Sequence, residues 1–348
     1  MRIERVAHQI VRWPIEQRGA ATRWREREAV IVAVHGDASG LGEAAPLPGM
    51  SIDAVDDAVA AVHALAARLP IVLDTPAHAV AVADRVTAAP AARFALESAL
   101  LAAYAQHTRT SVAALLSHGR PLAELRTAVV VDEPGEVGAE LRTAAATATP
   151  RDLREAPCIK IKAGRDIRAI ARAAPNARLR IDANRAWPRD EVLARMMELA
   201  HLPIEFVEEP CANAHELLGW PLPCRIALDE SLIDLPPDAL ARALGSPQLA
   251  ALVLKPTLLG GFSRCLALAA EAHRHGVAPI VSHTLEGPIG YAACGELARA
   301  IGADVPVGLG RHPALATAYG ATSEAAGAAS AASHEPAHDG AHARPDAR

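Results

Sequence analysis

Short apolar runs rich in β-branched residues recur from about residue 126 onward and alternate with Ala-, Leu- and Arg-rich stretches. The runs are TAVVVDE, CIKIK, RLRID, EFVEE, CRIALDE, LAALVLK, VAPIVSH and DVPVGL. From the second run to the eighth, the polar residue or glycine near each end follows the previous one after 20, 26, 21, 26, 28 and 25 residues. Each interval fits one strand and one helix of a parallel sheet. The pattern therefore predicts an α/β fold, a modified TIM (β/α) barrel.

The part of the chain before these runs has a different pattern, which predicts an α+β unit over residues 1–120. The expected elements are strands at Ile3–Trp13 and Ala29–Val34 and helices near Ile52–Leu69 and Ala91–Gln106. A Gly- and Pro-rich segment from Gly40 onward is expected to be a turn. Because two strands and a helical hairpin bury too little apolar surface alone, this unit is expected to pack on the barrel.

The barrel is assigned to residues 121–320, with its last part returning to the N-terminal unit. Residues 321–348 form a tail that is rich in Ala, Ser, Gly and Pro. Because the tail has too few apolar residues to build a core, we expect it to be disordered.

Composition disfavours several classes of protein. The net charge of −5 is unlike that of nucleic-acid binders, which are normally basic. No apolar run reaches the roughly 18 residues of a membrane span, and the N-terminal segment lacks the apolar core of a signal peptide. The five cysteines form no CxxC pair and are expected to be reduced and buried. The chain is predicted to be a cytoplasmic enzyme that binds neither nucleic acid nor membranes, and its oligomeric state stays open.

Carboxylates end three successive runs: Asp182 in RIDAN, Glu208 in FVEEP and Asp229 in ALDES. In a parallel barrel these ends meet at one mouth, where three negative charges are unfavourable without a cation. Hard oxygen ligands with no His or Cys nearby in the sequence favour Mg2+ over zinc. The alternative is that each carboxylate caps the helix that follows its strand.

Lysine is rare in this chain: of the 35 basic residues only Lys160, Lys162 and Lys255 are lysines. Lys160 and Lys162 are two residues apart in one run, so both point to the same face of a strand, here the barrel interior. A nearby cation and partial burial lower the pKa of an ammonium group and would let it act as a base. Lys255 ends a strand on the far side of the predicted metal. The arrangement suits removal of a proton α to a carboxylate, with chance placement as the alternative.

These residues resemble the enolase superfamily in its muconate-lactonising branch, and within it the o-succinylbenzoate synthases of menaquinone biosynthesis. The motifs that carry the resemblance are KIK (Lys160–Lys162), DANRAW (Asp182–Trp187), EEPC (Glu208–Cys211), DES (Asp229–Ser231), KPTLLGG (Lys255–Gly261) and SHTLEGPIG (Ser282–Gly290). The early GEAAPLPGMS (Gly42–Ser51) is similar to a loop of the family's capping domain. The resemblance extends from residue 1 to about residue 320. It implies a barrel with an N-terminal α+β capping domain.

The resemblance also implies roles for individual side chains. The implied metal ligands are Asp182, Glu208 and Asp229, which would hold Mg2+, with Mn2+ expected to substitute. The implied catalytic lysines are Lys162 as the acid/base residue, Lys160 as its support and Lys255 on the opposite side of the substrate. The implied substrate-binding residues are Arg180, Asn184, Ser282 and Gly287. Two features depart from the family pattern: the first interval of 20 residues requires a short helix, and His283 stands where other members often have a small residue.

The implied reaction is that of a Mg-dependent dehydratase acting on a small-molecule carboxylate. A lysine would take the α-proton of 2-succinyl-6-hydroxy-2,4-cyclohexadiene-1-carboxylate, the metal would stabilise the enediolate, and loss of water would give 2-succinylbenzoate. An N-acylamino acid racemase or dipeptide epimerase of the same superfamily is the alternative. It needs bases on both faces of its substrate, and Lys162 and Lys255 meet that need too. A non-catalytic binding barrel is a third reading, which the retained lysines disfavour.

An arginine-dense stretch separates the two predicted N-terminal strands and is expected to be an exposed connection. Its arginines are Arg18, Arg23, Arg25 and Arg27. Because the expected substrate carries two carboxylates, part of this stretch is expected to close over the site and screen their charge. The alternative is a solvated basic loop without that role.

Overall fold

Two β-sheets with their helices make up the structure, a computed structural model that describes residues 1–18, 23–131, 150–302 and 305–310. The N-terminal strands are β1 (Arg2–Arg18), β2 (Arg23–Gly36), β3 (Gly40–Ala44) and β4 (Ile71–Val72). The barrel strands are β5 (Val129–Val131), β6 (Cys158–Lys162), β7 (Arg178–Asp182), β8 (Ile204–Glu208), β9 (Ile226–Leu228), β10 (Leu249–Leu254) and β11 (Ala278–Val281). The predicted tail, 321–348, lies outside the described residues.

Helices accompany both sheets. In the N-terminal unit they are α1 (Val55–Ala66), α2 (Pro76–Val86), α3 (Pro90–Thr108) and α4 (Val112–Leu116). In the barrel they are α5 (Pro150–Glu155), α6 (Ile167–Ala173), α7 (Val192–Leu199), α8 (Ser231–Asp234), α9 (Pro237–Leu244), α10 (Pro256–Leu259), α11 (Gly261–Arg274) and α12 (Pro288–Ile301), with 3-10 helices at Arg189–Glu191 and Ala214–Gly219. The domain boundary proposed at residue 120 falls between α4 and β5.

The N-terminal sheet is antiparallel, with strand order β3-β2-β1-β4. Its two long strands extend beyond the predicted ones, so β1 reaches Arg18 and β2 begins at Arg23. The prediction of an exposed connection is therefore wrong for the described part of the arginine-dense stretch. Arg25 is exposed, but Arg27 has only 1% of its surface exposed, because it lies where the sheet meets the barrel loops. Residues 19–22 lie outside the described part of the chain.

The Gly-rich segment that was predicted as a turn begins with a strand, β3, which pairs with β2. Helix α3 crosses it so closely that side chains at Gly40 and Gly42 would collide with the helix backbone at Ala99 and Ala95. The glycines therefore allow close approach of helix and strand and do not break the strand. The segment was wrongly predicted as a turn because it lacks the β-branched residues that mark most strands.

The helices of the N-terminal unit include two that were predicted and others that were not. Helix α1 lies within the first predicted helical segment, and α3 spans the second. Helix α2 was not predicted, although Thr75 followed by Pro76 is a helix-start signal. The Thr75 hydroxyl accepts the N–H of His78 at 3.1 Å, as an N-cap side chain does.

The seven strands β5–β11 form one parallel sheet in chain order, and each overlaps one predicted run. The eighth run contributes two isolated parallel bridges, Thr127 with Val307 and Ser282 with Gly308. These bridges connect the two ends of the sheet and close the ring. Helix α6 has 7 residues, as the short interval between the second and third runs requires. The predicted modified (β/α) barrel with an N-terminal α+β unit is confirmed.

The structure bears on two predictions made from composition, one about the cysteines and one about membrane spans. All five cysteines are buried and free, as predicted. Among the described helices, none is both long enough and apolar enough to cross a membrane.

One buried arginine, Arg27 of β2, links the N-terminal unit to the barrel. Its guanidinium donates to the carbonyl oxygens of Ala45 and Pro46, which follow β3, at 2.6 Å each. It also donates to the carbonyl oxygens of Thr284 and Leu285, which follow β11, at 3.0 and 3.2 Å. Burial lowers the pKa of Arg27 to about 10, so the group stays charged at neutral pH. Four carbonyl groups from two loops thus share one charged donor.

Glu43 of β3 makes a second link across the same interface. Its carboxylate is fully buried and accepts the N–H groups of Gly287 and Gly290 at the start of α12, at 2.5 and 2.9 Å. A carboxylate in this place complements the helix dipole. Burial raises the pKa of Glu43 to about 7, although both N–H groups favour the charged form. Buried polar groups therefore hold the N-terminal unit against the barrel.

Replacing Arg27 should destabilise the protein far more than replacing its exposed neighbour. Arg27→Met leaves four buried carbonyl oxygens without their donor, so the free energy of unfolding should fall by about 3 kcal/mol. Arg25→Met, two residues earlier on the same strand, should change it by less than about 0.5 kcal/mol. Denaturant unfolding of both variants gives the comparison, and equal losses would contradict the role assigned to Arg27.

Candidate active site

A pocket of about 560 Å3 lies at the carboxyl ends of the barrel strands, facing the N-terminal unit. Barrels of this type carry their active sites at this end. Nine of the ten predicted site residues line the pocket. They are Lys160, Lys162, Arg180, Asp182, Asn184, Glu208, Asp229, Lys255 and Ser282.

Strand register brings the predicted metal ligands together. Lys162 of β6 is level with Asp182 of β7, and Asp182 is level with Glu208 of β8. Asp229 follows β9, the next strand of the ring. The three carboxylate residues are nearly buried, with 4%, 2% and 5% of their surfaces exposed. A common register at the strand ends therefore concentrates charge at one mouth.

Two lysines of β6 neutralise the first two carboxylates. Lys160 Nζ lies 2.9 Å from Asp182 Oδ2 and 2.8 Å from Glu208 Oε1. Lys162 Nζ lies 2.8 Å from the same Asp182 oxygen and donates to Asn184 Oδ1 at 3.0 Å. The prediction that both lysines face the barrel interior is thus met, and each ammonium has a partner on a neighbouring strand or its following loop.

Lys255, at the end of β10, forms an ion pair with Asp229. Burial lowers the pKa of Lys255, but the carboxylates of Asp229, Glu230 and Glu208 together outweigh burial and hold this pKa above the usual lysine range. For Lys160 burial also lowers the pKa, and Asp182 and Glu208 together outweigh it. The predicted lowering of a lysine pKa depends on a bound cation and stays a prediction; without the cation, the carboxylates nearest to Lys160 and Lys255 dominate.

The same ion pairs bear on the predicted metal site. In the described ranges, no group of three or more His, Cys, Asp or Glu side chains is close enough together to hold an ion as it stands. Each predicted ligand is turned toward a lysine instead. Three buried carboxylates are the donors that Mg2+ prefers, and three ammonium groups balance them. The donor set fits Mg2+ in type, and an ion would compete with the ammonium groups for the carboxylate oxygens.

Arg180 lines the pocket and is paired with a carboxylate of the protein, that of Glu205. Its guanidinium donates to Glu205 from Nε at 2.8 Å and from Nη2 at 3.3 Å, and to the carbonyl oxygen of Pro306 at 2.6 Å. The guanidinium carbon lies 5.1 Å from the centre of the Phe206 ring. These contacts use three of the five N–H donors of the guanidinium, so Arg180 has a structural role, and its predicted contact with the substrate carboxylate stays a prediction.

A bulge in β8 explains why alternation along the strand did not predict this ion pair. Leu179 is level with Ile204, but the next residue, Arg180, is level with Phe206. Glu205 is therefore an extra residue in β8 and leaves the regular alternation of faces. The shift lets Glu205 turn toward Arg180.

The remaining predicted substrate-binding residues differ in their positions. The Ser282 hydroxyl lines the pocket and donates to the carbonyl oxygen of Gly308 at 3.0 Å. Asn184 lines the pocket beside the predicted acid/base lysine. Gly287 is not brought to the pocket wall, because it begins α12 and its N–H is taken by Glu43.

His283, the residue that departs from the family pattern, also lines the pocket. Its Nδ1 accepts the N–H of Leu285 at 3.1 Å. Its ring packs against Tyr291, with 5.7 Å between the ring centres. His283 therefore helps to shape the loop that follows β11.

Glu209 was not predicted as a site residue, although it holds the segment that carries a predicted ligand. Its buried carboxylate accepts the N–H groups of Asp229 and Ser231, at 2.8 Å each, and the Arg185 side chain at 3.0 Å. Glu209 and Arg185 have positive φ angles, 41° and 60°. Such backbone conformations cluster at functional sites. The sequence signal for Glu209 was the second acidic residue of the EEPC motif.

The pocket wall on the side of the N-terminal unit is apolar. It consists of Trp24 of β2, Leu47 and Met50 of the loop after β3, and Leu285 of the loop after β11. The indole N–H of Trp24 donates to the carbonyl oxygen of Pro48 at 2.9 Å, which fixes the loop after β3. Sequence reasoning identified that loop but not Trp24, which lies within the arginine-dense stretch.

Removing the partner of Arg180 should cost stability. Glu205→Gln leaves a buried guanidinium without its carboxylate, so the free energy of unfolding should fall by about 3 kcal/mol. Glu216→Gln is the matched control, because Glu216 pairs with Arg189 in an exposed ion pair, and it should cost less than about 1 kcal/mol. Denaturant unfolding measures both values, and a small loss for Glu205→Gln would leave Arg180 free for another role.

Known proteins match this chain along most of its length. The family described as "Enolase C-terminal domain-like" matches residues 140–325. The o-succinylbenzoate synthase of Pectobacterium atrosepticum is 30% identical over 302 residues, covering 82% of this chain and 83% of that protein. The o-succinylbenzoate synthase of Haemophilus influenzae is 30% identical over 296 residues, covering 82% of each chain.

A solved structure extends the comparison to the fold. A dipeptide epimerase from Methylococcus capsulatus, complexed with Mg and the dipeptide L-Arg-D-Lys, matches with a TM-score of 0.75 and 26% identity. The match covers 89% of this chain and 90% of that one. The resemblance inferred from the motifs is confirmed, and the chain belongs to the o-succinylbenzoate synthase family of the enolase superfamily.

Proposed function

We propose that this chain catalyses the reaction for which its family is named, the conversion of 2-succinyl-6-hydroxy-2,4-cyclohexadiene-1-carboxylate to 2-succinylbenzoate and water in menaquinone biosynthesis. The observation that carries the proposal is a pair of lysines facing one pocket from opposite sides of the barrel. Lys162 is on β6 and Lys255 ends β10, four strands further around the ring. We place the enzyme in the cytoplasm.

Lys162 is the proposed acid/base residue. Lys162 acts from its neutral form, after its ammonium group has released a proton: the neutral amine takes the α-proton, breaking the C–H bond and leaving the electron pair on the substrate carboxylate system. The same lysine then returns the proton to the leaving hydroxyl, the C–O bond breaks, and water departs as the ring becomes aromatic. Asn184 Oδ1 and Asp182 Oδ2, at 3.0 and 2.8 Å from Nζ, orient the amine.

The other two lysines supply charge. Lys160 bridges Asp182 and Glu208, so it holds both carboxylates beside the acid/base lysine. Lys255 stays protonated next to Asp229 and faces the substrate from the other side, where its charge stabilises the anion formed by proton removal. In a dehydratase Lys255 therefore contributes charge and transfers no proton to or from the substrate.

Asp182, Glu208 and Asp229 are the proposed Mg2+ ligands, and Mn2+ is expected to substitute. Bound Mg2+ supplies positive charge that lowers the energy of the substrate anion. The fit rests on the donor type, three buried carboxylates at adjacent strand ends. A small substrate that carries carboxylates keeps the pocket close to neutral when the ion is present.

A dipeptide epimerase or N-acylamino acid racemase is the second candidate. The observation that favours it is the same lysine pair, because two bases on opposite faces are what epimerisation requires. The Methylococcus capsulatus structure carries that activity in its name and shares the fold. The 30% identity to two synthases over four-fifths of the chain favours the dehydratase.

Turnover by one preparation, with and without Mg2+, tests the proposal. The wild-type protein should dehydrate the synthase substrate only with Mg2+ and should act far more slowly on an N-succinylamino acid. Mg2+ should also raise Tm, because binding to the native state alone stabilises it. Faster turnover of the N-succinylamino acid would favour the second candidate, and a chelator that changes neither turnover nor Tm would contradict the metal assignment.

Arginine substitutions separate the roles of the two lysines. Lys162→Arg keeps the charge but removes any accessible neutral amine, so kcat should fall by at least about 10³-fold while the protein still folds. Lys255→Arg should be milder in a dehydratase, where only charge is needed, and severe in an epimerase. Steady-state kinetics with Tm as a folding control gives the comparison, and near wild-type dehydration by Lys162→Arg would refute proton abstraction by this residue.

A further inference from the structure

Thr284, in the loop after β11, has a buried hydroxyl that no part of the described chain satisfies. The residue lines the pocket and has 3% of its surface exposed. Its Oγ1 has no hydrogen-bond partner among the described residues. A buried hydroxyl without a partner is costly, so each such group in a native protein calls for an explanation.

The backbone on both sides of this hydroxyl is held firmly. The Thr284 N–H donates to Glu286 Oε2 at 2.6 Å, and the Thr284 carbonyl oxygen accepts from Arg27 Nη2 at 3.0 Å. Both Glu286 and Arg27 are buried. Glu286 also accepts a hydrogen bond from the Thr257 hydroxyl through its other carboxylate oxygen, Oε1. Two buried charged side chains thus fix the main chain of Thr284 and leave only its hydroxyl unused.

The side chains on the apolar side of the pocket offer the hydroxyl no acceptor. Leu285, Trp24, Leu47 and Met50 form the apolar side of the pocket next to the loop. A bridging water needs two to four polar partners, and these four side chains supply none with a free polar group. Rotation about the Cα–Cβ bond carries a threonine hydroxyl between staggered positions without moving the backbone. The hydrogen-bond partner of the Thr284 hydroxyl is therefore expected to be a molecule bound in the pocket.

We propose that Thr284 is a specificity residue whose hydroxyl donates a hydrogen bond to an acceptor oxygen on the arm of the substrate that lies beyond the reacting ring. The inference rests on the proposed function, since the synthase substrate carries a keto and a carboxylate oxygen on that arm. Arg27 and Glu286 act as positioning residues, because they fix the main chain that presents the hydroxyl. A site built around a substrate oxygen discriminates strongly against analogues that lack it.

The variant Thr284→Val tests the proposal, because valine keeps the shape and removes the hydroxyl. We expect KM for the synthase substrate to rise about tenfold, with kcat within about twofold of wild type. Kd for 2-succinylbenzoate should rise by the same factor, and Kd for benzoate, which lacks the arm, should not change. Tm should equal or exceed that of wild type, because no hydrogen bond of the folded protein is lost.

Two further variants serve as controls. Thr257→Val removes a hydroxyl of equal burial that has a partner inside the protein, so it should lower Tm. Thr284→Ser keeps the hydroxyl and should keep the wild-type KM.

The outcomes separate this inference from the proposed function. If the wild-type protein does not turn over the synthase substrate, the proposed function fails and this inference fails with it. If the wild-type protein is active and Thr284→Val keeps its KM and its Kd for 2-succinylbenzoate, only this inference is overturned. A loss of Tm or of folding in Thr284→Val as large as that of Thr257→Val also overturns it, because the hydroxyl then serves the fold.

Discussion

A balance between three buried carboxylates and three partly buried lysines at one mouth of the barrel is the constraint on which the structure depends most. Three carboxylates at adjacent strand ends would repel one another strongly in this environment, and removing one partner of a buried ion pair is costly. Three lysines, the full complement of this arginine-rich chain, provide the balancing charge. The balance also limits what the pocket can accept: the proposed divalent cation and a substrate with two carboxylates would together add no net charge.

The second constraint is the joint between the N-terminal unit and the barrel, because the pocket has walls from both. Arg27 ties the loop after β3 to the loop after β11, and Glu43 ties β3 to the start of α12. Both side chains are buried, so the two loops are held at a fixed distance by groups that never reach the pocket. Strand ends thus provide the chemistry, and the joint determines the shape of the space above them.

Because the strand ends provide the reactive groups and the loops above them shape the pocket, relatives with different activities can share the fold. Lysines and carboxylates at the strand ends suit any reaction that begins by removing an α-proton, including dehydration and epimerisation. In our proposal, discrimination between substrates then depends on the apolar wall with Trp24 and on the loop that carries Thr284. Identity to two synthases and fold likeness to a dipeptide epimerase are therefore compatible observations, since a shared fold does not determine which reaction its pocket carries out.

The sequence by itself determined the barrel and the residues of the charged mouth. Strand spacing and alternation are local properties, so the runs containing Lys160 and Asp182 could be placed on strands and on the inner face without knowledge of the tertiary structure. Only the tertiary structure decided which side chains meet. The bulge that turns Glu205 toward Arg180, the helix that requires Gly40 in a strand, and the burial of Arg27 all arise between segments far apart in the chain. Local pattern contains no information about such contacts, because each depends on the surface that another element presents.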